Sequence, residues 1–232
     1  MKLKIKTPIG AYYYKYIPIF LGIKPINKVV AKENLLLLKG ILDKNNVLFM
    51  LSFGTLLGAA REHDFITHDE DIDLVMMKRD MNRFLALLFV LRENGFEIAR
   101  YESRGFLSII RKGEYIDFYF FEEYPENKSL YYCCRDMCPK ELLDDLADIE
   151  FQGAMFKAPR KYEKYLEFNY GKNWRTPIPY VNFQMSAAQK AKFLCLQYIK
   201  MFLPENVVQK LQSKSDKPFL DKWILKAKTF QF

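Results

Sequence analysis

Asp71 and Asp73 stand two residues apart in the run Thr67-His68-Asp69-Glu70-Asp71-Ile72-Asp73-Leu74-Val75-Met76. On an extended strand that spacing projects both carboxylates from one face. Two such charges about 7 Å apart repel by on the order of 2 kcal/mol at an effective dielectric of about 20, so a fold that keeps them together supplies a cation or cationic side chain. Hard carboxylate oxygens suit magnesium or manganese. Ile72, Leu74 and Met76, of opposite parity, are apolar, which predicts a strand with one buried face and one face available for chemistry. The plainer reading of an isolated Asp-x-Asp is a solvated acidic turn.

The residues that must position this pair lie just upstream. Val47-Leu48-Phe49-Met50-Leu51-Ser52 is a short apolar run of the kind that forms a buried strand, and Phe53-Gly54-Thr55-Leu56-Leu57-Gly58-Ala59-Ala60-Arg61 follows it. Strand, glycine turn and helix is the expected order. Gly54 lets backbone approach a phosphate, Thr55 offers a hydroxyl, and the amides at a helix N-terminus favour anions. Arg61 is the candidate clamp for a second phosphate oxygen.

A third carboxylate comes from a predicted hairpin. Phe106–Arg111 and Tyr115–Phe121 flank Lys112-Gly113-Glu114, and Asp117 falls between Tyr115 and Tyr119 on the face opposite Ile116, Phe118 and Phe120. A carboxylate among aromatic residues is costly unless it is paired or metal-bound, so Asp117 is a candidate site residue, with a local Lys or Arg pairing as the alternative.

The stretch Gly54-Thr55-Leu56-Leu57-Gly58-Ala59-Ala60-Arg61-Glu62-His63-Asp64-Phe65-Ile66-Thr67-His68-Asp69-Glu70-Asp71-Ile72-Asp73 resembles the signature of the LicD-type phosphotransferases. That family, related to fukutin, sits within the DNA polymerase beta-like nucleotidyltransferase superfamily. Asp64 stands where the family has glycine and Glu70 where it has the middle aspartate, and neither change touches Asp71 or Asp73. The resemblance continues through Pro139, Phe151-Gln152-Gly153, Pro159 and Tyr170-Gly171-Lys172-Asn173-Trp174, so it spans residues 54–177. It implies an α+β fold with a mixed-sheet nucleotidyltransferase-like core flanked by helices. It also implies a third acid beside the metal pair, here Asp117. With it come the expected roles: Mg²⁺ or Mn²⁺ on Asp71, Asp73 and Asp117; nucleotide phosphate on Gly54, Thr55 and Arg61; supporting or substrate contacts from His68, Asp69, Glu70, Tyr170, Lys172 and Trp174. The expected reaction moves a phospho-alcohol, foremost phosphocholine, from a CDP-alcohol donor to a hydroxyl of a glycan or glycolipid of the lipopolysaccharide, capsule or teichoic-acid type. Two other readings stand beside it, a nucleotidyltransferase moving an NMP from an NTP and a non-catalytic membrane-peripheral binding protein.

Charge is distributed unevenly along the 232 residues. Residues 1–28 carry six lysines and no acid, and residues 187–232 carry nine lysines against three acids, so the net charge of +8 sits at the two ends. Lysine-rich ends around an acidic centre fit a protein working beside an anionic membrane, with Tyr12, Tyr13, Tyr14, Phe20 and Trp223 as candidate interfacial residues, or a solvated basic surface. No RRM, KH or helix-turn-helix pattern supports nucleic acid as a partner. No apolar run reaches the length of a spanning helix or a secretory leader, from which a cytoplasmic protein is expected, with association at the inner leaflet as the option that the basic ends leave open. Cys133, Cys134, Cys138 and Cys195 are expected to be free thiols, since adjacent cysteines without a CxxC partner fit a zinc site poorly.

Three regions follow: a basic aromatic segment over 1–28, a catalytic domain over 29–185 and a lysine-rich helical appendage over 186–232. Helices are predicted over 27–43, from Asp80 to a stop at Asn94-Gly95, over 160–170 and over 186–202, and strands over 47–52, 71–77, 96–101, 106–111 and 115–121.

Overall fold

The computed structural model describes residues 3–20, 22, 24–178 and 184–231, which leaves Lys2 of the basic N-terminal segment outside the described residues. The chain opens with an antiparallel hairpin, β1 (Leu3–Thr7) and β2 (Gly10–Tyr14). Its alternation turns Ile5, Tyr12 and Tyr14 inward and leaves Lys4, Lys6 and Tyr13 exposed. This corrects the interfacial set. Tyr12 and Tyr14 belong to the core, Arg92 covers the Tyr12 ring at 3.9 Å, and Trp223 stacks on Phe168 with ring centroids 5.4 Å apart.

Asn27 caps α1 (Lys28–Lys44) by accepting the Val30 amide at 3.2 Å, and Ala31, Leu35, Leu38 and Leu42 form its buried stripe. Then come β3 (Met50–Leu51), α2 (Phe53–Arg61) and β4 (Ile72–Met77). The predicted helix after Asp80 breaks at Leu87 into α3 (Met81–Ala86) and α4 (Leu88–Glu93). Asp80 does not cap it; its carboxylate meets Arg83 at 3.4 Å instead. Gly95 at φ +84° supplies the expected stop.

β5 (Glu97–Glu102), β6 (Phe106–Arg111) and β7 (Glu114–Tyr124) form a meander, followed by β8 (Asn127–Cys133), β9 (Asp136–Pro139), the short α5 (Lys140–Leu143), and the hairpin β10 (Leu146–Phe151) with β11 (Ala154–Pro159). The sheet runs β10-β11-β3-β4-β7-β6-β5, with β8 and β9 continuing from the far end of β7. It is mixed, because β4 lies parallel to β7 and β11 parallel to β3 while the other pairs are antiparallel. The fold is therefore α+β. α6 (Tyr162–Tyr170), α7 (Ala187–Phe202) and α8 (Glu205–Thr229) complete the chain. Ser186 and Gln189 form a reciprocal capping box at the start of α7.

Both faces of β4 are covered along most of its length. Val75 is as buried as Leu74, so the face carrying the acids is open at one end rather than along the whole strand as its alternation suggests.

Candidate functional site

The parallel pairing of β4 with β7 sets Asp73 directly beside Asp117, and the antiparallel pairing of β7 with β6 sets Ser108 on the other side of Asp117. Three side chains thus share one row across three strands. The backbone around Asp73 is fixed from both directions: its amide donates to Thr55 Oγ1 at 2.8 Å, and its carbonyl accepts from the Ser52 amide at 3.2 Å. The Gly54 amide, in the first turn of α2, donates to Asp73 Oδ2 at 3.0 Å. A methyl group on Gly54 would collide with the Asp69 carboxylate and lie 3.2 Å from Asp73 Oδ2, which is the physical reason for glycine at this position. Phe53, immediately before it, takes φ +40°, a left-handed conformation that bends the chain from β3 into α2 at a cost of about 1 kcal/mol or more.

Asp69, Asp71, Asp73 and Asp117 form one acidic cluster. Burial, then the charges of Asp73 and Asp117, push the Asp71 carboxyl well above the ordinary carboxylate range. Burial and the charges of Asp69 and Asp117 do the same to Asp73, against the pull of the Gly54 amide. Asp69 is pushed up to about 6 by burial, opposed by its hydrogen bond from the Glu70 amide and by nearby His68. Asp117 is 2 % exposed, and its charge acts on both Asp71 and Asp73.

Asp117, the third acid expected to share an ion with Asp71 and Asp73, is held by two side-chain partners. Arg100 donates to its Oδ2 at 2.7 Å and Ser108 to its Oδ1, so both oxygens already have partners. Burial raises the Asp117 carboxyl while the Arg100 charge and these bonds hold it down. Among the described residues no group of three or more His, Cys, Asp or Glu side chains is arranged to enclose an ion, and the four thiols are free.

Gly54 and Thr55, the expected phosphate cradle, both bond to Asp73 and hold that aspartate in place. Arg61 is at the opposite end of α2. Seven residues of helix separate it from Gly54, about 10 Å of rise, and it pairs with Glu62 at 2.6 Å and with the Trp174 carbonyl at 3.4 Å. It therefore stands apart from the acids. Glu70 accepts the Gly22 amide at 2.7 Å, which anchors the N-terminal segment to the acidic loop. Tyr170 ends α6 facing the acids, and its hydroxyl is raised by burial and by Asp73, Asp69 and Asp71. Lys172 is exposed in the turn beyond. Trp174 is buried, with Arg175 over its ring at 4.3 Å. Asp64, the departure from the signature glycine, receives Lys28 at 2.8 Å and Gln152 at 2.7 Å, tying the loop to α1 and to the β10–β11 turn.

Arg100, Ser108, Tyr115, Tyr119 and Asp136 are the neighbours of the acids that the sequence reading missed as a group. Burial and the Asp71 and Asp117 charges raise the Tyr115 hydroxyl, and burial with Asp73, Asp117 and Asp71 raises that of Tyr119. Ser108 was within reach: a turn at Lys112-Gly113 that pairs Arg111 with Glu114 places Ser108 opposite Asp117. Arg100 was not, because a register irregularity between Ile98 and Arg100 brings its side chain over β6.

The acids fit a divalent ion through their chemistry. Asp73 is a buried and Asp71 a half-buried hard-oxygen donor beside Asp69, and magnesium is commonly held by one or two carboxylates together with substrate phosphates and water rather than by an all-protein cage. Next to them, two cavities of about 430 and 310 Å³ share Arg100, Glu102, Lys200, Val208 and Gln212 and so form one cleft between β5 and the helices α7 and α8. Arg100, Tyr119 and Asp136 are its wall on the acidic side.

Two curated relatives share sequence with the chain: the ribitol 5-phosphate transferase FKRP of Mus musculus, 28 % identical over 144 residues, and that of Homo sapiens, 27 % identical over 177 residues. The matches cover 57 % and 71 % of this chain but 29 % and 34 % of those proteins, so the chain spans about a third of their length. An uncharacterized protein of Rickettsia typhi, RT0683, is 36 % identical over 58 residues, which are 25 % of this chain and 19 % of that protein. Among solved structures, the lincosamide adenylyltransferase LnuA superimposes with a TM-score of 0.43 at 8 % identity, covering 71 % of this chain and 95 % of that one. The antibiotic-resistance factor ANT(2'')-Ia gives 0.46 at 13 % identity, covering 84 % and 95 %. The model of the LicD/FKTN/FKRP nucleotidyltransferase domain matches residues 46–161, half of the chain, from the strand before Gly54 through the β10–β11 hairpin. The chain therefore belongs to the LicD/FKTN/FKRP family.

Proposed function

We propose that this chain is a metal-dependent transferase that moves a phospho-alcohol from a CDP-activated donor to a hydroxyl of a glycan or glycolipid, with phosphocholine as the leading group. The observation that carries the reading is the acidic row itself, Asp71 and Asp73 beside Asp117, with the α2 N-terminus bonded to Asp73. Asp71 and Asp73 would hold Mg²⁺ or Mn²⁺, which when bound would neutralise charge developing on the pyrophosphate. Ser52, Gly54 and Thr55 keep Asp73 in place for that task. The acceptor oxygen attacks the phosphorus that carries the alcohol, the bond to the nucleotide's phosphate breaks, CMP leaves, and the hydroxyl proton passes to Asp117. Arg100 and Ser108 position Asp117 for this step.

The acceptor reaches the acids through the cleft walled by Arg100 and Tyr119. The exposed ring of Tyr170 next to the acids is suited to a quaternary ammonium, which favours choline. The name of the mammalian relatives makes CDP-ribitol the direct competitor in any assay. The description of the family domain favours one second reading, transfer of an NMP from an NTP.

Incubation with CDP-choline, CDP-ribitol or NTPs plus Mg²⁺ separates the readings by product. CMP is expected, and pyrophosphate from an NTP would establish the second reading. Asp73→Asn is expected to lower CMP release about a thousandfold, equivalent to about 4 kcal/mol of barrier, with the fold retained. Unchanged turnover in that variant would remove Asp73 from the site.

A further inference from the structure

The helix α7 is apolar on the side that faces away from the protein. Its inward row is Phe193, Leu194, Gln197, Lys200 and Met201, all half-buried, whereas the outward arc carries Ala188, Ala191, Cys195, Leu196, Ile199 and Phe202 with Lys192 as its one charge. Leu196, Ile199 and Phe202 are 49, 50 and 77 % exposed, and Leu203 before Pro204 and Val207 after it are also exposed. A helix of a water-facing surface has the reverse pattern, and a contiguous exposed row of this kind marks an interaction surface.

The surrounding charge identifies what covers it. α7 holds Lys190, Lys192 and Lys200 and no acid, and the N-terminal segment contributes exposed Lys4, Lys6 and Lys15, again with no acid. The two are packed together: Phe20 meets Phe193 with centroids 5.6 Å apart, Lys190 lies over the Phe20 ring at 5.7 Å, and Leu3 and Lys4 line the same cavity as Lys200 and Leu203. A second copy would set lysine against lysine. An anionic lipid surface satisfies the lysines and the apolar stripe at once.

We propose that α7 and the elbow at Pro204 lie in the interface of an anionic bilayer, with Leu196, Ile199, Phe202 and Leu203 inserted and the lysines on the headgroups. No described helix is long and apolar enough to cross a membrane, consistent with lying on one. The cavity lined by Lys4, Lys200 and Leu203 then opens beside the bilayer, where a lipid-linked acceptor is presented; that consequence rests on the transfer reading, and the binding does not.

The test is co-sedimentation of the full chain with phosphatidylcholine vesicles, alone or with about 30 % phosphatidylglycerol, and binding about tenfold or more stronger to the anionic vesicles is expected. Combined Leu196→Ser, Ile199→Ser and Phe202→Ser should abolish it with an unchanged circular dichroism spectrum. Phe202→Trp should show a blue-shifted emission on anionic vesicles, a readout that needs no disruptive variant. Failure of the wild-type chain to sediment, equal binding to neutral vesicles, equal binding by the triple serine variant, or a dimer that the triple variant converts to monomer would each overturn the proposal. Because no donor is present, a negative result here leaves the CMP assay to stand or fall by itself.

Discussion

At Gly54 the whole site depends on the absence of one carbon atom. Gly54→Ala forces a Cβ against the Asp69 carboxylate and within 3.2 Å of Asp73 Oδ2, so either the acids spread or α2 shifts. The expected cost is about 1–3 kcal/mol of stability, with CMP release reduced about tenfold or more, read by thermal denaturation and the donor assay. Arg61→Ala should behave differently. Its guanidinium serves Glu62 and the Trp174 carbonyl, so stability falls by about 1 kcal/mol while CMP release per folded molecule stays unchanged; a large loss of turnover would return Arg61 to phosphate binding. Asp69 and Asp136 are each pushed up to about 6, Asp69 by burial and Asp136 by burial and the neighbouring Asp216. A folded-state value above the unfolded one contributes stability that is complete below about pH 4 and is lost as pH rises through about 6. In EDTA these two groups should therefore lower the melting temperature between pH 5 and pH 7.5. Asp136→Asn should flatten that slope, as should Mg²⁺ at the higher pH; a melting temperature that rises across this window in both wild type and Asp136→Asn would contradict the assignment.

The elements that hold the site are joined by few but specific contacts. The β10–β11 turn reaches the signature loop through Gln152 on Asp64, and Phe65 meets Phe151 edge-on with centroids 5.0 Å apart, so motifs nearly ninety residues apart close on each other. The helix α8 is docked differently. Its buried residues are Leu220 and Asp216, and Asp216 takes Arg104 and, at 2.8 Å, Arg135. Asp216→Asn removes the acid that Arg104 and Arg135 share, leaving Arg104 with Glu102 alone at 2.7 Å, so a loss of about 2 kcal/mol is expected. Hydrogen exchange should rise across residues 205–229 and stay unchanged in β4 and β7. Uniform protection loss throughout the sheet would show that α8 is part of the same cooperative unit.

Across the whole molecule the acids occupy the middle of the chain and the lysines its ends, and folding brings the two ends to one side. The family domain covers residues 46–161, while the N-terminal hairpin and α7 and α8 lie outside that match. Those outer elements supply one side of the cleft, through Leu3, Lys4, Lys200 and Gln212. The matched core thus carries the acidic row, and the elements outside that match shape the approach to it.

Local pattern alone determined much of this. The two-residue spacing of Asp71 and Asp73, the stop at Gly95 and the Lys112-Gly113 hairpin are short-range features, governed by backbone geometry that any reader of the chain can apply. The signature residues were equally legible, because their order is a property of the sequence itself. Only the tertiary structure decided what each polar group is bonded to. Thr55 and Gly54 gained Asp73 as a partner when β4 paired antiparallel with β3, and Asp117 gained Arg100 through a register irregularity in β5. A buried donor or acceptor must find a partner, and which one it finds depends on strands and helices that come from distant parts of the chain.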